Sequence, residues 1–192
     1  IDIAPPGARP LPLLLDTVRD FAWGVSDKFA WDATRAVVGD RDGNGTADTA
    51  AIHTFWLPGN ASSKWPQDAR YARHSIEFLS SYLWPYPWPQ MTAMQGPNSC
   101  GGMEYPMIVF CGNRTNAQAL YSVTDHEFGH TWFPMVVGNN ERLYPWMDEG
   151  FNTFMNYYNW RLRYPDTPNR RGNAQAYVGY ALSGREVPIL TP

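Results

Sequence analysis

Apolar and aromatic side chains recur at short, strand-like spacing from Phe21 to Val38 (Phe21, Trp23, Val25, Phe29, Trp31, Val37) and again from Ala50 to Leu57, with Ile52, Phe55 and Trp56. Between them, Asp40 to Asp48 is rich in Gly and Asn, which supply the positive φ angles of a hairpin tip, so a β-hairpin is predicted here. The period then changes. From Trp65 to Leu83, Ala69, Ala72, Ile76, Leu79 and Leu83 form one stripe of a helix, with Arg70, Arg73, Glu77 and Ser81 off it and Gln67 and Asp68 near its start. Three prolines in Trp84-Pro85-Tyr86-Pro87-Trp88-Pro89 end it. Two more strand-like stretches follow, Met91 to Met94 and Met103 to Phe110. A helix is then predicted from Asn116, its cap, to Phe133, closed by Pro134. After a loop from Val137 to Pro145, helices are predicted over Asp148 to Arg163 and Gln175 to Leu182. Strands early and helices late predict an α+β fold.

Composition narrows the picture. The 192 residues carry 15 Lys+Arg against 18 Asp+Glu, a net charge of −3, which argues against a nucleic-acid surface and fits one globular domain over 1–192. Aromatics at 15% and charged residues at 17% exclude a disordered chain. No apolar run approaches the roughly 18 residues of a membrane span. Residues 1–20 are Pro-rich and read as a linker or edge segment; the opening Ile1-Asp2-Ile3-Ala4-Pro5 has neither initiator Met nor leader pattern, and the chain reads as a piece of a longer protein.

Two smaller features invite chemistry. Asp40, Asp42, Asn44 and Asp48, with Gly45 at the sixth position, match the first half of a calcium loop, but Ala51 stands where the bidentate Glu belongs, and an acidic turn is the plainer reading. Cys100 and Cys111 bracket a segment whose end reads as a strand. If most of it is extended at about 3.3 Å per residue, the thiols lie too far apart for a disulfide and remain free. Their number and spacing do not fit a four-ligand zinc framework.

The strongest pattern is His126-Glu127-Phe128-Gly129-His130. Spacing of i, i+4 puts both imidazoles on one helix face, within reach of one metal ion, and Glu127 stands beside them, placed to act on a metal-bound water. Zinc suits two imidazoles and a carboxylate in an open tetrahedral site. A third ligand is found in Glu149, nineteen residues after His130 in Trp146-Met147-Asp148-Glu149-Gly150-Phe151, where a second antiparallel helix can return it to the imidazoles. The plainer alternatives are two hydrogen-bonded helix-face histidines and a helix-start acid favoured by the dipole. His53 and His74 have no partner pattern and are read as structural.

Together with Gly101-Gly102-Met103-Glu104 upstream, and with Thr131-Trp132-Phe133 continuing the zinc helix, these pieces resemble the catalytic core of the M1 zinc aminopeptidases, a gluzincin family with a thermolysin-like catalytic domain. The match runs from about Phe21 onward. The resemblance implies one zinc ion on His126, His130 and Glu149, Glu127 as general base, and Glu104 binding the substrate's free α-amino group. It also implies Gly101, Gly102 and Met103 along the substrate cleft, with glycines permitting close approach. The implied reaction is hydrolysis of the N-terminal peptide bond by metal-activated water. The implied partners are a peptide with a free N-terminus and a C-terminal helical domain that this chain lacks. Related bacterial enzymes point to an extracytoplasmic location.

Three departures qualify the match. Tyr105 follows Glu104 where the family commonly has Asn, which implies altered subsites. Asn156 stands where the family often has an acid supporting a zinc histidine, which predicts weaker support. The family's oxyanion-stabilising tyrosine normally lies past Pro192, and no motif assigns Tyr177 or Tyr180 that role. Two other readings remain: a gluzincin hydrolase of different specificity, and an impaired member acting as a scaffold, against which the intact set of His126, Glu127, His130 and Glu149 argues.

Overall fold

The computed structural model describes residues 18–59, 63–97, 99–167 and 174–191, so most of the Pro-rich opening segment lies outside the described residues. Five strands form one mixed sheet: β1 (Ala30–Gly39), β2 (Asp48–Trp56), β3 (Gln90–Gln95), β4 (Gly102–Tyr105) and β5 (Ile108–Cys111), in the order β1-β2-β3-β5-β4. Four α-helices accompany them: α1 (Asp68–Tyr82), α2 (Ala117–Gly129), α3 (Phe151–Arg163) and α4 (Ala174–Leu182).

β1 and β2 pair antiparallel as the predicted hairpin, with Gly39, Gly43 and Gly45 at positive φ in and beside its tip. The strand itself starts only at Ala30; in residues 21–29 the large side chains of Phe21, Trp23 and Val25 are exposed, and this stretch runs irregularly. At the tip, one Asp40 carboxylate accepts backbone N–H groups from Gly43, Asn44 and Gly45, and Asp48 accepts from Arg41. This turn is closed by its own backbone. Asp40, Asp42 and Asp48 do converge, with no fourth acid at the Ala51 position.

α1 follows the predicted stripe: Ala69, Ala72, Ile76 and Leu79 are buried against the sheet, with Trp65 and Tyr71 beside them. It joins β2 to β3, which run parallel, and β3 is parallel to β5 as well. The elements are therefore interleaved rather than split into early strands and late helices, because a parallel pair needs a crossover and α1 supplies it.

Met103 to Phe110 is not one strand. Pro106 and Met107 reverse the chain, Met107 at φ 63°, and β4 and β5 pair antiparallel from Gly102↔Cys111 to Tyr105↔Ile108. Pro at the second position of a tight turn, with its fixed φ, marks the reversal that strand periodicity hides. Cys100 and Cys111 are both free as expected, but their segments are not held apart by one long strand: the hairpin folds them back on each other, and the Cys100 thiol lies against the carbonyl of Phe110. Of the two, Cys111 is buried and Cys100 half-buried.

α2 is capped as expected, the Asn116 side chain accepting the N–H of Ala119. It ends at Gly129, four residues before the predicted end, because Phe133 leaves helical geometry ahead of Pro134 and the chain passes through a wide turn over Thr131–Val136. A second wide turn, Trp146–Gly150, leads into α3. α3 ends at Arg163 as predicted but starts at Phe151 rather than Asp148, because that wide turn takes up residues 146–150, and α4 falls where its pattern placed it.

Candidate metal centre

His126 lies in the last turn of α2, His130 caps its C-terminus, and Glu149 comes from the wide turn before α3. Two packing features bring these elements together. Gly129 presents no side chain to α3: a Cβ there would stand 1.9 Å from Asn152 Oδ1. Asn152, fully buried, donates to the carbonyl of His126 at 2.7 Å and so ties α3 to the ligand-bearing turn.

The three candidate ligand atoms converge. His126 Nε2 and His130 Nε2 are 3.2 Å apart, and Glu149 Oε2 is 3.0 Å from the first and 3.9 Å from the second. Donors at about 2.0–2.1 Å on a tetrahedron stand about 3.3–3.4 Å apart, so the observed spacings bracket those of a zinc site. Side-chain exposure rises from 0% at His130 through 28% at His126 to 57% at Glu149, which leaves the open side of the site facing solvent.

Hydrogen bonding fixes both imidazoles. His130 Nδ1 faces only acceptors, Asp148 Oδ1 at 2.7 Å and the Phe133 carbonyl at 2.9 Å, so it carries a proton. For His126, Asn152 Nδ2 lies 3.4 Å from Nδ1 but makes its shorter bond, 2.7 Å, to the His126 carbonyl, and the closer partner of Nδ1 is Asn156. Because Asn156 Nδ2 donates to the carbonyl and to Oδ2 of Asp125, both at 3.0 Å, its Oδ1 is the atom turned toward His126 Nδ1, 3.1 Å away. Both Nδ1 atoms therefore donate, and both Nε2 atoms are free to offer lone pairs to a common cation. The residues present fit zinc.

Without metal the same convergence perturbs the titrations. Burial pushes His126 down, helped by its neighbour His130. Burial acts in the same direction on His130, but the Asp148 and Glu104 carboxylates and the Phe133 carbonyl together outweigh it and hold the ring up at about 9.

Glu127 and Glu104 reach the same place from different elements. Their carboxylates and His130 form a second close group, each offering an atom within 4.8 Å of the others. Burial pushes Glu127 up to about 8, and burial likewise raises Glu104. On β4, alternation puts Gly102 and Glu104 on the face toward α2, and an added Cβ at Gly102 would fall on the Glu127 carboxylate. Met103 points to the opposite face and is 40% exposed, and the Gly101 carbonyl accepts from Arg114 at 2.9 Å. Of the four-residue motif, the structure thus brings Gly102 and Glu104 to the histidines, and Gly101 and Met103 flank them.

Several residues around the centre carry no motif of their own. Asp148 stands beside the more obvious Glu149. Asp125, Asn152 and Asn159 read as ordinary helix positions, and only the i, i+4, i+7 spacing of Asn152, Asn156 and Asn159 around one face hints at a polar seam. Glu141, paired with Arg19, joins Glu104 and Asp148 in another close acidic group. His53 and His74 each have a local partner, Trp31 and Tyr121, in keeping with structural roles. The hydroxyls of Tyr177 and Tyr180 are engaged by Glu186 and by the Arg185 carbonyl.

No protein-family model and no curated protein matches this sequence. Solved structures do match in fold. The M1 zinc metallopeptidase of Deinococcus radiodurans superposes with a TM-score of 0.52 at 21% identity, over 83% of this chain and 35% of its own. A two-domain M1 zinc metallopeptidase mutant bound to L-arginine gives a TM-score of 0.53 at 20% identity, over 84% and 35%. The chain spans about a third of the length of these structures and shares their mixed α+β fold over that part.

Proposed function

We propose that this chain carries the zinc centre and the N-terminus-binding carboxylate of an M1-type aminopeptidase. The observation that carries the reading is the meeting of two carboxylates, Glu127 from α2 and Glu104 from the sheet edge, beside His130 and its neighbours His126 and Glu149. Zinc, once bound by those three residues, supplies Lewis acidity toward the scissile carbonyl and lowers the pKa of bound water to about 7.

The remaining work falls to side chains of this chain. Glu127, buried and raised to about 8, accepts a proton from the attacking water and returns it to the leaving amine. Glu104 pairs with the substrate's α-ammonium, which sets the cleavage point by counting from the free N-terminus. β4 is an edge strand, so its outer N–H and C=O groups are available to an extended peptide. Asp148 and Asn156 hold the two imidazoles in the tautomer that keeps Nε2 unprotonated. The substrate is a peptide with a free N-terminus, and the complementary partner is a helical domain of the kind that encloses such a cleft.

The test joins elemental analysis with hydrolysis of N-terminal amino-acid amides. One zinc per chain is expected, lost in His126→Ala. Glu104→Ala should keep zinc and abolish cleavage of free-amine substrates. An unchanged rate in Glu104→Ala refutes the aminopeptidase and leaves a metallopeptidase of other specificity. A folded chain that takes up no zinc from excess metal refutes both.

A further inference from the structure

Position 156 carries an amide, yet the geometry there is that of a built hydrogen-bond chain. The Asn156 amide cannot turn over without facing its Nδ2 toward the His126 ring and its Oδ1 toward two oxygens of Asp125. Asp125 is itself 1% exposed, and its second oxygen accepts from Asn159, a fully buried residue one turn further along α3. Asn152 closes the arrangement by holding the His126 carbonyl. Three asparagines of one helix thus surround one carboxylate and one imidazole of another.

We infer that Asp125 is the acid that supports the His126 ligand, acting through the Asn156 amide, so that the supporting carboxyl group comes from α2 rather than from α3. Asp125 is a positioning residue: it orients and polarises Asn156, and Asn156 Oδ1 in turn fixes the Nδ1–H tautomer of His126 and its ring plane. Partners of this kind typically govern 10–100-fold in metal affinity. The inference rests on the reading of His126, His130 and Glu149 as zinc ligands, and the two can fail separately.

The experiment measures zinc affinity by competition with a chromophoric chelator at fixed pH, with thermal unfolding of each metal-free variant as the control for folding. The unmodified chain and His126→Ala test the ligand set alone. Asp125→Asn is expected to weaken zinc binding about 10–100-fold. Asn156→Ala, at a half-buried position, should do the same with Asp125 intact. Because Asp125 acts through Asn156, Asp125→Asn combined with Asn156→Ala should bind zinc about as weakly as Asn156→Ala alone. A purely structural Asp125 would make the two losses add. Wild-type affinity in a folded Asp125→Asn or Asn156→Ala variant overturns the inference, as does a folded double variant in which the losses add. If Asp125→Asn does not fold, Asp125→Ser takes its place in the same cycle, with the same outcomes.

Discussion

Gly129 is the position where the junction between the two ligand-bearing elements is tightest, and Gly129→Ala tests it. In most helices the change helps, by up to about 1 kcal/mol, and less in a last turn. Here the new Cβ would meet Asn152 Oδ1 at 1.9 Å and Cγ at 2.9 Å, so the amide must retreat by about 1.5 Å to reach an ordinary contact of 3.4 Å. Asn152 is fully buried and has no open space to retreat into. Overpacking of this kind costs about 1–3 kcal/mol. Loss of its bond to the His126 carbonyl adds about 1 kcal/mol. The net expectation is a destabilisation of about 1–3 kcal/mol, read from urea unfolding of the metal-free protein. Because the cost arises from one pair, Gly129→Ala combined with Asn152→Ala should be more stable than additivity allows, with a coupling of about 1 kcal/mol or more. A stabilised Gly129→Ala, or a double variant that is simply additive, would refute the argument.

Glu127→Gln should keep one zinc per chain while peptide-bond hydrolysis falls about 10²–10⁴-fold, measured on amino-acid amides; a near-normal rate excludes Glu127 as the base. Asp68, buried at the start of α1 and accepting from the Thr124 hydroxyl, has its pKa raised by burial to about 7 from an ordinary 3.8. A raised acid makes the folded state bind more protons, so its stability is full below about pH 4 and is lost as pH rises toward 7, by up to about 4 kcal/mol. Asp68→Asn should therefore match the wild type in urea unfolding at pH 4 and exceed it at pH 8; equal midpoints at pH 8 would remove the basis for that shift. Asn116→Ala deletes the cap accepted from Ala119 and should lower unfolding free energy by about 1 kcal/mol, with no change in zinc stoichiometry.

The parts of this molecule legible in the sequence are those set by local rules. The α1 stripe, the hairpin glycines between β1 and β2, and the Asn116 cap all act within a few residues, and each appears where its pattern put it. The turn at Pro106 and Met107 was hidden because both flanking runs are apolar, so two short strands read as one. The early end of α2 was hidden for a related reason: His130, Thr131 and Trp132 are good helix continuations, and the departure at Phe133 comes from the following proline rather than from a change in polarity. At the centre, His126, Glu127, His130 and Glu149 were visible through fixed spacing. Asp125, Asn152 and Asn159 were not, since their role depends on how two helices face each other across Gly129. Position 156 read alone shows only an amide, and the Asp125 carboxylate that this amide contacts becomes visible only when the two helices are packed together.

The stretch between the two ligand-bearing elements is a closed excursion of the chain. It leaves at His130 and returns at Asp148 and Glu149, where the imidazole and carboxylate already touch at 2.7 Å. A bound ion would turn that touch into a clasp, restricting the unfolded chain in the way that a cross-link does. For a loop of about 15 residues such a constraint removes conformational freedom worth about 3 kcal/mol. The excursion contains Trp132, one of the largest fully buried side chains of the protein, whose indole donates to the Trp84 carbonyl beyond α1. If the proposed centre holds a metal, its loss would loosen more than that centre: it would slacken the belt that presses this indole into the main core, and couple the availability of a trace element to the stability of the folded chain.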